Sequence, residues 1–453
     1  MSNLIVVGGG LAGCEAAWQA AQRGLSVILY EMRPKMNTPV HNTGLLSELV
    51  CSNSLGSTQI DRASGLLNHE LKKLSSLLLQ CAEETSLPAG GSLAVDRIAF
   101  AALVTDCITH HPSIEVIQTE IQDIPSSPAI IASGPLTSAA LSKSIQKLTG
   151  ADYLFFYDAI APIVDFDSIN MEIAFRGSRF NHGTQVEGDY INCPLTQSEY
   201  HMVVNELTNA PRIQLKEYEV NLQKGVRAGS KHFFEGCLPI EELASRGKDT
   251  LAYGPMRPVG LMNPHTGTQP YAVVQLRQDN LVGTLYNLVG FQTNLRYGEQ
   301  ERIIRLVPGL ENAEFIRFGE MHRNTFIASP ILLNNKLQFS QREDLFFAGQ
   351  ITGIEGYLGN IASGLIAGIN VSNFLQGYPL VSLPRTTMIG ALIHYITNAD
   401  MKDFQPMKAN FGIFPVINAK VRGKPQRAAL HVNRALTDMD NFLHAQPNSF
   451  RLA

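Results

Sequence analysis

Three glycines, Gly8, Gly10 and Gly13, stand in the spacing G-x-G-x-x-G. Each has a separate task in such a turn. The first permits a tight passage from strand to helix, the second lets a pyrophosphate approach the backbone, and the third lets the helix pack closely on the strand. The spacing alone is a weak signal, so its flanks decide its meaning. Leu4 to Val7 is apolar and reads as a buried parallel strand. Leu11 to Arg23 is rich in Ala and ends before Gly24, the pattern of a helix with a glycine stop. With Gly9 just before it and Leu11 and Ala12 in its first turn, this helix would aim free N–H groups and a partial positive charge at a phosphate. Leu25 to Glu31 reads as a second strand ending in an acid. Glu31 lies about 20 residues beyond the glycines, where a carboxylate can hold a ribose 2′-hydroxyl. Together these features point to a dinucleotide site rather than an ordinary tight turn.

The second chemical candidate is a thiol. In Phe233-Phe234-Glu235-Gly236-Cys237-Leu238-Pro239-Ile240-Glu241-Glu242, Pro239 suits the first position of a helix and the two acids suit its first turn. Arg246 and Gly247 fit the other end. Cys237 then sits just outside a helix N-terminus, which favours a thiolate and hence a nucleophile. The neighbouring acids oppose that ionisation, and a small structural residue is the competing reading. Cys51 lies in the polar loop Leu49-Val50-Cys51-Ser52-Asn53-Ser54, either as a second functional thiol or as a buried loop cysteine. Cys14 falls in the first helix and reads as packing, and Cys81, Cys107 and Cys193 have no suggestive neighbours. No C-x-x-C pair occurs, and His41, His110 and His111 lack ligand-spaced partners, so no metal site is expected.

The elements that must position these groups belong to a chain of 453 residues, long enough for two or three domains. It is 45% hydrophobic and 17% charged, an ordinary globular composition, and its net charge of -4 does not advertise nucleic-acid binding by the whole molecule. Six cysteines in this length do not suggest a disulfide scaffold. There is no signal-peptide pattern, and no stretch reads as the roughly 20 apolar residues of a membrane span. The expected location is therefore cytoplasmic, with no membrane partner.

Further along, Gly65 to Gln80 and Ala94 to Ile108 read as helices, and Ser113 to Ile124 and Ala129 to Ala132 as strands. The last runs into Ser133-Gly134-Pro135, a turn that can pass a flavin cofactor again. From about Ala151 the texture changes to aromatic and strand-like runs such as Tyr271 to Leu276, separated by loops with Pro, Asn and Gly. Asp344 to Gln350 reads as a buried strand closing on Gly349, followed by Ile354 to Asn360 and a small-residue helix from Ile361 to Asn370. Such a late strand-loop-helix places another helix N-terminus at a flavin, where N–H groups can stabilise negative charge on a reduced isoalloxazine. Gly349, Gln350, Gly356 and Tyr357 become cofactor candidates, and FAD is favoured over NAD as the tightly held nucleotide. No second G-x-G-x-x-G appears, so a nicotinamide cofactor would visit rather than stay. The expected fold class is α/β: a two-dinucleotide-type, Rossmann-like FAD-binding domain of residues 1–155 and 332–453, with an inserted α+β substrate or RNA domain at 156–331. Phe404 to Thr437 contains no Asp or Glu and carries Lys408, Lys420, Arg422, Lys424, Arg427 and Arg434. This is either a solvated basic face or a phosphate-backbone contact.

These blocks together resemble the bacterial folate- and FAD-dependent tRNA (uracil-5-)-methyltransferases. The resemblance covers nearly the whole chain. It rests on Val6 to Ala17, on Glu48 to Leu55, on Phe234 to Glu241, on Gly254-Pro255-Met256-Arg257-Pro258-Val259-Gly260-Leu261, on Phe347 to Tyr357 and on Pro406 to Gly412. It implies methylenetetrahydrofolate as methylene donor, NADPH or NADH as reductant, and a uridine in the tRNA T-loop as acceptor, with no obligate protein partner. It also implies a cysteine thiolate that adds to carbon 6 of the uridine and makes carbon 5 nucleophilic. By matching position, Cys237 takes the nucleophile's role and Cys51 that of a second functional cysteine near the flavin. Tyr357 matches an aromatic that packs by the isoalloxazine, and Lys408 lies in a block at the active-site end. Three rivals remain open. One is the same chemistry on a ribosomal RNA uridine. Another is a wobble-uridine modification flavoprotein that works with a partner GTPase, against which the Cys237 block and the modest length count. The third is a non-catalytic RNA-binding or folding factor that keeps FAD structurally.

Overall fold

The computed structural model describes residues 4–38, 40–150, 154–181, 183, 187–213, 238–417, 423–446 and 450, with backbone alone at 154–158, 181 and 321–323. Five parallel strands form the first sheet, in the spatial order Leu345–Phe347, Ala129–Ile131, Leu4–Val7, Val27–Glu31 and Ile114–Gln118. The N-terminal strand is central, with Val6 paired to Leu29 on one side and to Ile130 on the other. Leu4–Val7, Ala129–Ile131 and Leu345–Phe347 are short and apolar because both faces of the sheet are covered there, as a parallel sheet requires, whereas the edge strand Ile114–Gln118 exposes Glu115 and Gln118.

One of those covers is a close pair of helices, Leu11–Ala21 and Tyr357–Gln376. Their contact is built from Ala12 and Ala16 against Gly364 and Gly368. A Cβ on Gly364 would stand 2.1 Å from the Ala12 carbonyl oxygen, and one on Gly368 2.6 Å from that of Ala16. The late helix is longer than the expected Ile361 to Asn370 span. Contrary to the expectation of no span-length apolar stretch, it is long and apolar enough to cross a bilayer, but 89% of its most apolar window is buried inside the protein.

A six-stranded sheet makes the second layer system, in the order Phe175–Gly177, Tyr190–Leu195, Ala272–Gln278, Leu285–Leu288, Ile163–Asp165 and Phe315–Arg317. The strand pairings are antiparallel. Its core includes Ile191, Cys193, Val274, Leu276 and Leu288, closed by the helix Gln197–Asn209, which starts with a Thr196–Glu199 capping box. Strands Leu154–Ala159 and Met321–Phe326 pair antiparallel with each other and carry the chain between the two systems. A small antiparallel sheet of Ser54–Ser57, Ser92–Val95 and Ser86–Leu87 completes the fold.

Two expected helices are changed. The Gly65 to Gln80 span is two helices, Ala63–Lys73 and Leu77–Glu84, broken where Ser75 takes φ 56°. Ser76 starts the second by accepting the Leu79 N–H at 3.2 Å, and its hydroxyl donates to buried Glu15 at 2.8 Å. The expected Ala94 to Ile108 helix begins only at Arg97, because Asp96 caps it by accepting the Ile98 and Ala99 N–H groups, while Ala94 and Val95 complete a strand. Pro239 likewise stands just before its helix, Ile240–Ala244, as the N-cap rather than the first helical residue.

Two predictions follow from this packing. Gly364→Ala should force the two helices apart and lower stability by about 1–3 kcal/mol, read as a lower urea midpoint. Glu70 is fully buried and accepts the Met388 and Ile389 N–H groups at 2.7 and 2.9 Å. Burial nevertheless outweighs those donors and pushes its carboxyl up from 4.5 to about 7. A carboxyl with a raised folded pKa holds its proton more tightly when folded. Its stabilising contribution is therefore full below about pH 4.5 and lost as pH rises through about 7. Between about pH 5 and pH 8 the unfolding midpoint of the wild type should fall more steeply than that of Glu70→Gln.

Candidate functional site

The parallel sheet ends at a cavity of about 460 Å³. The glycine turn forms one wall through Gly8, Gly10, Leu11 and Ala12, and the Gly134-Pro135 turn after Ala129–Ile131 forms the next. Gly349, Gln350, Gly356 and Tyr357 also line it, with Gly349 against Ala12 and Lys408 next to Gly356, and Val50, Cys51 and Ser52 complete the lining beside Tyr357. Gly8 adopts φ +107° and abuts Ala132, whose carbonyl oxygen a Cβ would meet at 2.5 Å. Gly10 differs: a Cβ there would meet nothing within 4 Å, so its backbone faces open space. Gly13 does not line the cavity, and a Cβ on it would stand 1.8 Å from the Gly8 carbonyl oxygen. These are the three separate demands that the spacing places on a dinucleotide turn.

Gly9 also lies off the cavity surface. Its N–H donates to Glu31 at 2.9 Å, and Glu31 accepts from the Arg33 N–H and Nε at 2.9 and 3.0 Å. Burial opposes the charge on Glu31, but the Arg33 hydrogen bond and cation, helped by the Gly9 N–H, hold its carboxyl below the usual range. Glu31 thus stays an anion at the cavity wall, with acceptor capacity left for a hydroxyl. Cys14 packs as expected: it is buried, its Sγ lies 3.2 Å from the Gly9 carbonyl oxygen, and burial pushes its thiol up to about 12.

Two asparagines that the sequence gave no reason to single out test whether the cavity fits a polar cofactor. Asn324 is fully buried and lines the cavity, yet neither its Nδ2 nor its Oδ1 has a hydrogen-bond partner. Asn360 also lines it with an unpartnered Oδ1. Orphaned buried amides are costly unless a ligand or water meets them. Together with the open face at Gly10, they fit a large dinucleotide such as FAD lying across the sheet end.

The loop carrying Cys51 is bolted in place. Arg97 donates to the Leu49 carbonyl at 2.8 Å and to the Cys51 carbonyl at 3.1 Å, while its Nε binds both oxygens of Asp279. Arg317 donates to the Val50 carbonyl at 2.9 Å. Arg277 binds the Asn53 side chain at 2.8 Å and the Ser52 hydroxyl at 3.0 Å. From the other side the Tyr357 hydroxyl accepts the Cys51 and Ser52 N–H groups at 2.9 and 3.2 Å. Burial, then the nearby Cys51, pushes the Tyr357 phenol up, so it remains a neutral hydroxyl. None of the three arginines was a sequence candidate: they come from distant segments and share no local spacing.

Cys237, Lys420 and Arg422 lie outside the described residues. Of the other cations in the acid-free stretch, Lys424 and Arg427 are exposed, whereas Arg434 donates to the Pro415 carbonyl at 2.7 Å. Tyr357→Phe would leave the Cys51 and Ser52 N–H groups without their acceptor, at a cost of about 1–3 kcal/mol. It should lower the thermal midpoint and speed the reaction of Cys51 with a thiol reagent, measured by labelling and peptide mapping.

Comparison with known proteins sets this site in a family. Residues 3–379 match the family model described as glucose inhibited division protein A. The protein named methylenetetrahydrofolate--tRNA-(uracil-5-)-methyltransferase TrmFO from Bacillus pumilus is 53% identical over 437 residues, covering 96% of this chain and 98% of that protein. Its namesake from Bacillus subtilis is 52% identical over 431 residues, covering 95% and 96%. Among solved structures, GidA from Aquifex aeolicus in its form II crystal superposes with a TM-score of 0.66 at 15% identity, covering 97% of this chain and 73% of that one. The form I crystal gives 0.65 at 17% identity, with 87% and 70% covered. That likeness speaks for the flavoprotein-type α/β fold, and the high identities over nearly the whole length go further: the chain belongs to the glucose-inhibited division protein A family and, within it, to the TrmFO family.

Proposed function

We propose that this chain is a methylenetetrahydrofolate-dependent tRNA (uracil-5-)-methyltransferase that holds FAD in the larger cavity and uses NADPH or NADH as reductant. The observation that carries the reading is the cavity itself, with its open Gly10 face and orphaned Asn324, ending at the Cys51 loop. The printed names of relatives more than 50% identical give the reaction class. FAD would bind with its pyrophosphate on the N–H groups of the helix starting at Leu11 and a ribose hydroxyl on Glu31. Gly349, Gln350, Gly356 and Tyr357 would then flank the isoalloxazine. When bound and reduced, FAD supplies one-carbon transfer chemistry and the electron pair that turns a methylene into a methyl group.

The chain's own residues handle the base. In this reading a Cys237 thiolate adds to carbon 6 of a T-loop uridine, and the carbon 5–carbon 6 π pair becomes available at carbon 5. Once carbon 5 carries the one-carbon unit, loss of its proton expels the thiolate and restores the ring double bond. Cys51, fixed by Tyr357 and the arginines, stands at the cavity as the supporting thiol. Residues 156–331 would face the RNA between the two parts of the FAD-binding domain, 1–155 and 332–453, with exposed Lys424 and Arg427 available to phosphates.

The test combines the FAD-loaded protein, labelled methylenetetrahydrofolate and NADPH with unmodified tRNA in one arm and unmodified ribosomal RNA in another. Label should appear at carbon 5 of a T-loop uridine. Cys237→Ala should lower turnover by at least about three orders of magnitude and abolish the covalent RNA adduct. No label in any RNA would overturn the activity, label only in ribosomal RNA would move the substrate, and full activity of Cys237→Ala would remove its assigned role.

A further inference from the structure

A second cavity, of about 120 Å³, lies against the Cys51 loop and is lined by Cys51, Ser52, Arg277, Asn287, Gly290 and Gln292 among others. It shares Cys51 and Ser52 with the larger cavity, so one loop forms part of the wall of both. Its volume is of the same order as the roughly 150 Å³ engineered cavity that accepts benzene, so it has room for one six-membered ring. Unlike that cavity it is polar. Asn287 is 3% exposed, and its Nδ2 has no hydrogen-bond partner. Arg277 is directly opposite Asn287 across the strand pair, which puts both side chains on one face of the sheet. Arg277 is itself 8% exposed and spends two of its five N–H donors on Asn53 and Ser52. The next wall is tethered as well: the Ile240 N–H donates to the Gln292 carbonyl at 2.6 Å, three residues after Cys237.

We infer that this second cavity is the subsite for the pyrimidine base of the substrate uridine, with Asn287 as the residue that reads uracil and Arg277 as its partner. The inference rests on the function proposed above. Uracil presents two carbonyl acceptors flanking one N–H donor. A primary amide offers one donor and one acceptor side by side, so Asn287 can meet the N–H and one carbonyl, while Arg277 donates to the other. A pterin ring would present an exocyclic amino group and call for a carboxylate, whereas the charged side chain on this wall is an arginine. When a nucleophile adds to carbon 6 of the held base, negative charge spreads to the ring carbonyls. The Asn287 and Arg277 donors stand ready to stabilise it.

The test uses the FAD-loaded full chain and two tRNA transcripts, one with the target uridine and one with cytidine in its place. Wild type should bind the uridine transcript about tenfold or more tightly than the cytidine one. Asn287→Ala should erase that preference and lower kcat/KM at least about tenfold, with FAD content and unfolding midpoint unchanged, since its Nδ2 makes no hydrogen bond in the fold. Asn287→Asp, which keeps the shape but replaces the donor with an acceptor, should shift the preference toward cytidine. Retention of the uridine preference in both variants would overturn the subsite and leave a water-filled void, even with the wild type fully active. A wild type that methylates no uridine would instead overturn the functional reading and, with it, this inference.

Discussion

Three guanidinium groups, those of buried Arg97 and Arg277 and half-buried Arg317, converge on one short loop, and the rest of the site depends on that convergence. Arg97 comes from a helix of the parallel-sheet half, while Arg277 and Arg317 come from strands of the antiparallel sheet. Between them they donate to the backbone carbonyls of Leu49, Val50 and Cys51 and to the side chains of Ser52 and Asn53. Burial lowers the pKa of Arg277 and Arg317, so the fold meets a desolvation cost to keep them charged. Asp279, locked to Arg97, returns part of that cost. A loop held by cations from a helix of one half and from strands of the other ties the two halves of the molecule at the place where the two cavities meet.

Behind the loop, the larger cavity depends on small residues. Gly13, Gly364 and Gly368 let the first helix sit against both the sheet and the late helix at distances that no Cβ would permit. The same closeness brings the N-terminus of the first helix and the Gly356–Tyr357 start of the late helix to one cavity. Tyr357 links the two devices, since it lines the larger cavity and its hydroxyl accepts from two N–H groups of the arginine-held loop.

Much of this was legible where the signal is local. The glycine turn, the strands beside it and the late strand and helix were legible because turn geometry and short-range periodicity are written in neighbouring residues. The break at Ser75 was not, because the reason for it is Glu15, some sixty residues away, which draws the Ser76 hydroxyl. Arg97, Arg277 and Arg317 escaped notice for the same reason: a side chain that donates to a distant carbonyl leaves no pattern around itself. Asn324 and Asn287 are harder still, since what marks them is a missing partner, a property of the assembled interior. The Cys237 assignment came from the resemblance, and its position lies outside the described residues.

Asn324 offers the most direct measurement of whether the larger cavity is the flavin site. Its amide makes no hydrogen bond within the protein, so its loss should cost the apoprotein little while removing contacts to a bound cofactor. FAD should be titrated into wild-type and Asn324→Ala apoprotein by flavin fluorescence, alongside their thermal midpoints. A flavin seated in this cavity should bind the variant about tenfold more weakly, with the apoprotein midpoint unchanged. Equal FAD affinity in the two proteins would contradict it.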